Sequence, residues 1–364
     1  MNFDFSDEQK ELSSHLRRML MGKCSLKEAR RCLEQEQSYS HEVWSQLAKM
    51  GLLGTAIPTS YGGAGAGYLE LCLVAEELGR VLAPVPSVST IYLATELIKE
   101  VASSEQREKL LPEIASGSLI FAVAICDADS GEPAYFNKER GTLSGLKAPV
   151  EDSLMADHAI VYAKSQEGDS LVLIDLQDTT VASTGSRSID PTKPQGKLHF
   201  HETPGEPLGL LGSGANALQR ARDRAAILLA FEQLGAADRA LEISIEYATQ
   251  RKAFGRLIGS YQAIKHKLAN VYVQNQLARV HAYFGAWAMQ TGDADLRSAA
   301  GTARIAAINA FQFAAQEMLQ VHGGIGFTWE SDCQLFYRRA QHTALSLGAA
   351  SSWRAQVVEK LRRD

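Results

Sequence analysis

Arg251 and Phe254 stand in Gln250–Gly255, Q-R-K-A-F-G, and Gln262 follows where another helical pattern opens. Further on, Gln320–Phe327 reads Q-V-H-G-G-I-G-F and contributes Gln320, Gly323 and Gly324. These residue types suit a nucleotide diphosphate. An arginine at a helix end offers a fixed guanidinium to phosphate, and a phenylalanine three residues on offers a ring face. Paired glycines after a long helix let backbone approach a ligand where a side chain would block it. A diphosphate calls for a planar guanidinium and backbone N–H groups rather than a flexible lysine. Taken singly, each has a blander reading: Arg251 as a solvated helix-end charge, Gln262 as an N-terminal polar residue, and Gly323-Gly324 as a helix stop.

The elements that must position these residues read as three blocks. Ser6 is a good N-cap with Gln9 completing a capping box, and helical stretches follow around Glu42–Met50, Leu69–Arg80 and Ser103–Ser116. Between the first two of these, Ile57–Gly67 is a glycine-rich loop. Near Leu119 the texture changes to short apolar runs between turn signals: Leu119–Ile125, Gly141–Gly145, His158–Ala163, Ser170–Ile174, Val181–Thr184 and Gly196–Phe200. From Leu218 helical spacing returns over Gln219–Gln250, Tyr261–Ala288 and Ser298–Gln320, with a fourth helix after Ser346. The expectation is a multi-domain α+β chain. It has an N-terminal helical domain (1–117), a central antiparallel β-domain (118–212) and a C-terminal four-helix bundle (213–364).

Composition removes several classes. A net charge of -5 over 364 residues gives no footprint for nucleic acid. No apolar run reaches the roughly 18 residues that span a membrane, so no membrane partner is expected. The opening M-N-F-D-F-S-D-E-Q lacks the pattern of a secretory or transit segment. Five scattered cysteines without C-x-x-C, and nine histidines without metal spacing, predict no metal and reduced thiols in the cytoplasm. Cys126 among them reads as a small buried hydrophobe.

Several stretches in order carry a family resemblance: F-S-D-E-Q at Phe5–Gln9, M-G-L-L-G at Met50–Gly54, I-P-T-S-Y-G-G at Ile57–Gly63 and A-E-E-L-G at Ala75–Gly79. E-Y-A-T-Q-R-K-A-F-G at Glu246–Gly255 and I-G-S-Y-Q-A-I-K-H-K-L-A at Ile258–Ala269 complete the set. Over nearly its whole length the chain resembles the acyl-CoA dehydrogenases. The resemblance implies FAD as cofactor, an acyl-CoA thioester as substrate for α,β-oxidation, and an electron-transfer partner, in fatty-acid or steroid side-chain catabolism. It also implies a homotetramer, or a heterotetramer with a paralogous subunit. Arg251 and Phe254 would reach the pyrophosphate and adenine side from a neighbouring subunit. Gln262 would lie beside them, and Gln320, Gly323 and Gly324 under the adenosine half.

At the flavin-ring end the chain departs from that pattern. Cys126 stands where a ring-bonding threonine is usual, and Lys147–Asp152, K-A-P-V-E-D, gives Pro149 and Glu151 where tryptophan and threonine are usual. The base is missing as well. Removing an α-proton needs a carboxylate within hydrogen-bond reach. Leu347, in Ser346-Leu347-Gly348, replaces the glutamate of most members. Ala225 replaces that of a second class, 26 residues before Arg251. Glu232 lies two turns beyond Ala225 on the same helix face, roughly 10 Å along the axis. It is the candidate catalytic base, set against the alternative that it bonds a neighbouring helix; Asp223 and Glu151 are weaker. Two readings follow: an active flavoprotein with an unusual base, or the non-catalytic half of a hetero-oligomer whose partner carries the glutamate. A nucleic-acid-binding relative and a flavin-free scaffold are the outside alternatives, and the net charge of -5 opposes the former.

Overall fold

A computed structural model describes residues 6–36, 38–129, 133–292 and 295–362. Phe5 of the F-S-D-E-Q stretch lies outside them. The N-terminal helices are α1 (Asp7–Lys23), α2 (Leu26–Glu34), α3 (His41–Lys49), α4 (Tyr68–Arg80), α5 (Thr95–Val101) and α6 (Ser104–Ser116), with a π-helical segment at Ser87–Ala94. The expected capping box starts α1: Ser6 Oγ accepts from the Gln9 N–H, and the Gln9 side chain accepts from the Ser6 N–H. Ser103 and Gln106 repeat the device at α6.

Eight strands follow: β1 (Phe121–Ala124), β2 (Tyr135–Asn137), β3 (Thr142–Glu151), β4 (His158–Ser165), β5 (Gly168–Asp175), β6 (Val181–Ser186), β7 (Gln195–Pro204) and β8 (Glu206–Pro207). They form one sheet in the order β6-β7-β3-β2-β4-β5-β8, with β1 also pairing β4. The sheet is mixed rather than antiparallel, which corrects the expectation, because β1 and β2 both run parallel to β4. A parallel neighbour needs a long return, and the β2–β3 hairpin between β1 and β4 supplies it. The β3–β7 ladder slips between Lys147 and Val150, around Pro149, which has no N–H to donate.

The C-terminal block holds five helices among the described residues, one more than expected: α7 (Gly214–Gln250), α8 (Gln262–Thr291), α9 (Leu296–His322), α10 (Cys333–Leu345) and α11 (Ala350–Leu361). The overlooked helix is α10. A start signal was present in Ser331-Asp332, and the Ser331 Oγ accepts from the Cys333 N–H (3.3 Å).

The described residues fall into two compact units. One is drawn from 1–31, 68–83 and 226–364, the other from 32–67 and 84–225. In the first, alanines on α9 (Ala299, Ala303, Ala307, Ala310, Ala314) are buried and let helices approach closely. In the second, Phe121, Phe136, Leu143, Ile160, Val172, Leu198 and Phe200 fill the sheet's core. Among the described residues no helix is long and apolar enough to cross a membrane, and no group of three or more His, Cys, Asp or Glu is placed to hold a metal.

Candidate functional site

In the first unit α7 ends at Gln250, and the Arg251 N–H continues its hydrogen-bond pattern to the Tyr247 carbonyl at 2.9 Å. A two-stranded hairpin follows, β9 (Lys252–Ala253) against β10 (Arg256–Leu257). Its turn residues, Phe254 (φ 51°) and Gly255 (φ 80°), both lie in the left-handed region, as the tightest hairpin turn demands. Glycine tolerates this; phenylalanine is strained there, by about 1–3 kcal/mol. The Phe254 ring is nonetheless 97% exposed, so strain is spent on holding an aromatic face in solvent. Tyr261 locks the hairpin, its hydroxyl donating to the Ala253 carbonyl (3.1 Å) and its ring stacking under Arg256 (3.9 Å). Gln262 is the exposed first residue of α8, a helix start with no side-chain cap.

The second segment reaches the same surface. Helix α9 carries exposed Gln320 and ends at Gly323 with φ 64°. A Cβ built at Gly323 or Gly324 meets nothing within 4 Å, so these glycines leave open space rather than relieve a clash. The His322 ring stacks on Tyr247 (4.2 Å, 24°), one turn before Arg251, and its Nδ1 sits 2.8 Å from the Met318 carbonyl. The stack joins the last turns of α7 and α9, and Tyr261 joins the hairpin to the start of α8. All six sequence-selected positions therefore sit on three segments braced against one another. An exposed guanidinium, an aromatic face, two carboxamides, an uncapped helix start and side-chain-free backbone suit a dinucleotide's adenosine diphosphate end.

Glu232 stands elsewhere in this unit. It is 3% exposed and lines an interhelical gap of about 160 Å³ with Gly79, Leu82, Gln233, Ala236, Phe311, Arg339 and Thr343. The gap admits no substrate-sized group. Beyond α10, Leu347 adopts φ 60° and is half-buried. Arg304, fully buried on α9, holds that turn: its guanidinium donates to the carbonyls of Thr343 and Ser346 (2.7 Å for the latter) and to Gln233 Oε1. Sequence reasoning missed Arg304. The signal was present, as an arginine in the alanine-rich inward face A-A-G-T-A-R-I-A-A.

In the second unit, Ala225 is a fully buried methyl group. Cys126 is exposed, contrary to the expectation of a buried thiol. It lies past the end of β1, where the chain still bonds to β3: its carbonyl accepts from the Ala148 N–H (3.1 Å), and the Ala128 N–H donates to the Leu146 carbonyl (3.3 Å). Lys147, 1% exposed, turns its ammonium beneath this segment, 3.1 Å from the Ile125 carbonyl and 2.7 Å from Asp127 Oδ1.

Burial pushes the Lys147 pKa down, and Asp127 partly restores it. Because its folded pKa lies below its unfolded one, the unfolded chain binds the extra proton. Stability therefore rises as pH climbs from the folded toward the unfolded value. Asp127→Asn removes the opposing charge and widens that window downward. We expect it to cost about 1–3 kcal/mol at neutral pH, with part recovered at pH about 9.5. Urea unfolding midpoints at the two pH values check this; a loss that grows with pH contradicts it.

Comparison with known proteins gives consistent matches. The acyl-CoA dehydrogenase N-terminal domain profile matches residues 6–118, and the C-terminal domain profile matches residues 212–361. The chain is similar to the acyl-CoA dehydrogenase IpdE2 of Mycobacterium tuberculosis, 33% identical over 316 residues, covering 86% of this chain and 85% of the relative. Among solved structures, the ChsE4-ChsE5 complex from the same organism superposes with TM-score 0.92 at 26% identity, covering all of both chains. A variant of the Tcur3481-Tcur3483 steroid ACAD does so with TM-score 0.88 at 30% identity and 98% coverage of each.

Proposed function

This chain belongs to the acyl-CoA dehydrogenase family, and we propose that it is the FAD-gripping subunit of a hetero-oligomer that oxidises an acyl-CoA thioester. In this reading a paralogous partner supplies the catalytic base, and an electron-transfer partner takes the electrons onward. The observation that carries the reading is the placing of the three base positions. Leu347 and Ala225 have no carboxylate, and Glu232 is enclosed in a gap too small for an acyl chain. Glu232 is then a brace between helices rather than a proton acceptor. A relative solved as a two-component complex, ChsE4-ChsE5, supports the assembly.

FAD, when bound, would supply the acceptor for the hydride leaving the thioester β-carbon. Arg251 would neutralise the diphosphate, and Phe254 would present its ring to the adenine side. The carboxamides of Gln262 and Gln320 would serve as adjustable donors and acceptors for the adenosine half. Gly323 and Gly324 would leave their backbone N–H groups accessible to it. Buried cysteines at Cys24, Cys32, Cys72 and Cys333 suit the reducing cytoplasm.

The test expresses the chain alone and together with its paralogous subunit, then reads flavin absorbance and its bleaching by a panel of acyl-CoA esters. Flavin retention and bleaching are expected in the mixed complex only. Arg251→Glu should weaken flavin retention by about 100-fold or more, because it sets a carboxylate against a diphosphate. Bleaching by the isolated chain, abolished by Glu232→Gln, would overturn the reading in favour of a self-sufficient enzyme.

A further inference from the structure

A helix brings two histidines together at a spacing of one turn, but a strand does so at i, i+2, and β7 carries that spacing in His199-Phe200-His201. Both histidines are exposed, while Leu198 and Phe200 turn into the sheet's core. Side chains two residues apart leave a regular strand roughly 6.6 Å from one another. Here the ring centroids stand 3.8 Å apart, with the rings tilted by 53°. A β-bulge draws them together. Phe200 pairs with Gly145 and Thr203 with Leu143, so His201 and Glu202 together oppose Ser144. Glu202 takes φ 51° and its N–H donates to Ser144 Oγ (3.2 Å), while the His201 N–H donates to the Thr180 carbonyl (3.1 Å). A bulge bends its strand and re-aims a side chain, and this one tips His201 toward His199. Among the described residues no protein group hydrogen-bonds to either ring.

We propose that His199 and His201 form a bidentate surface site for a late first-row divalent ion such as Ni²⁺ or Cu²⁺. A neutral imidazole offers one ring nitrogen as a ligand, and these metals favour it. Two such nitrogens on one braced strand act as a chelate. Once the first has bound, the second meets the ion at high effective concentration. Water fills the remaining coordination positions, so two protein ligands suffice. Among the described residues no third His, Cys, Asp or Glu joins them in a metal-holding group. The neighbouring Glu202 carboxylate is held by Arg140 (2.6 Å). A pair of imidazoles without a carboxylate does not suit Mg²⁺ or Ca²⁺, which take oxygen ligands. The inference concerns the central sheet alone and goes beyond the flavin reading, on which it does not depend.

The experiment titrates Ni²⁺, which does not oxidise thiols, into the full chain without an affinity tag and reads binding by calorimetry. One tightest site per chain is expected. His199→Ala and His201→Ala should each weaken that site by about tenfold or more, since either change leaves a single ring. Ala182 is exposed on β6 directly opposite His199, so its side chain shares that face. Ala182→His should therefore add a third ring and tighten the site by about tenfold or more. Mg²⁺ should not compete. Circular dichroism keeps unfolding out of the comparison. No Ni²⁺ binding by the unaltered protein, undiminished affinity in either alanine variant, no tightening in Ala182→His, or displacement by equimolar Mg²⁺ would each overturn the proposal.

Discussion

Gly235→Ala is expected to destabilise the fold by about 4 kcal/mol or more, an exceptional amount for one methyl group. A Cβ at Gly235 would stand 1.9 Å from the Glu76 carbonyl oxygen, and one at Gly79 would stand 1.8 Å from that of Glu232. The two clashes are reciprocal. Residues 76 and 79 on α4 face residues 235 and 232 on α7, so the two helices touch backbone to backbone. Side-chain overpacking commonly costs about 1–3 kcal/mol because a rotamer can yield. Here the struck atoms are main chain of two long helices, and separating them strains their surroundings. Beside the contact, Glu76 pairs with Arg279 (3.0 Å) and Glu77 with Arg17 (2.6 Å). Helix propensity alone predicts the opposite sign, since alanine stabilises a helix interior over glycine by about 1 kcal/mol. Gly22→Ala in α1, where nothing lies within 4 Å, should show that gain. Urea midpoints of the two variants decide the matter; a Gly235→Ala protein as stable as the unaltered one removes the close-contact argument.

The same glycines show where sequence reading stops. A-E-E-L-G stood out as a stretch, and its helix was legible from spacing, but the reason for Gly79 lies on α7, more than 150 residues away. Local devices were readable because their causes are local: the Ser6–Gln9 box, the short apolar strands, the stop at Gly323. The parallel pairing of β1 with β4 was not, because it is decided by how the intervening chain returns. Cys126 read as a small buried hydrophobe from its residue type, yet the strand ends one residue before Ile125 and the thiol is exposed. The candidate binding residues were selected by type and spacing. That Phe254 is held in a strained turn, and that the Tyr247–His322 stack gathers the segments, are properties of packed geometry alone.

The largest gain in activity is expected from Leu347→Glu. The turn that carries Leu347 is built as if for a particular side-chain direction. A non-glycine residue at φ 60° is disfavoured by about 1–2 kcal/mol and persists only where its surroundings impose it. The imposing group is Arg304, whose buried guanidinium binds the Thr343 and Ser346 carbonyls, while the Gly348 N–H returns to the Leu345 carbonyl at 3.0 Å. Glutamate in this backbone meets no strain that leucine does not already bear. A half-buried position also leaves its carboxylate partly solvated, so ionisation is not prohibitive. A positioned general base contributes about 10²–10⁴ in rate. In a flavin-loaded complex whose paralogous subunit has had its own base removed, Leu347→Glu should therefore bring acyl-CoA-dependent flavin bleaching from background to a measurable rate. That rate should rise with pH as the new carboxyl ionises, and Leu347→Gln should stay at background. If Leu347→Glu retains flavin yet bleaches no faster than Leu347→Gln with any acyl-CoA ester, the turn does not address the thioester. The absence of a base in this chain would then need an explanation other than its replacement by leucine.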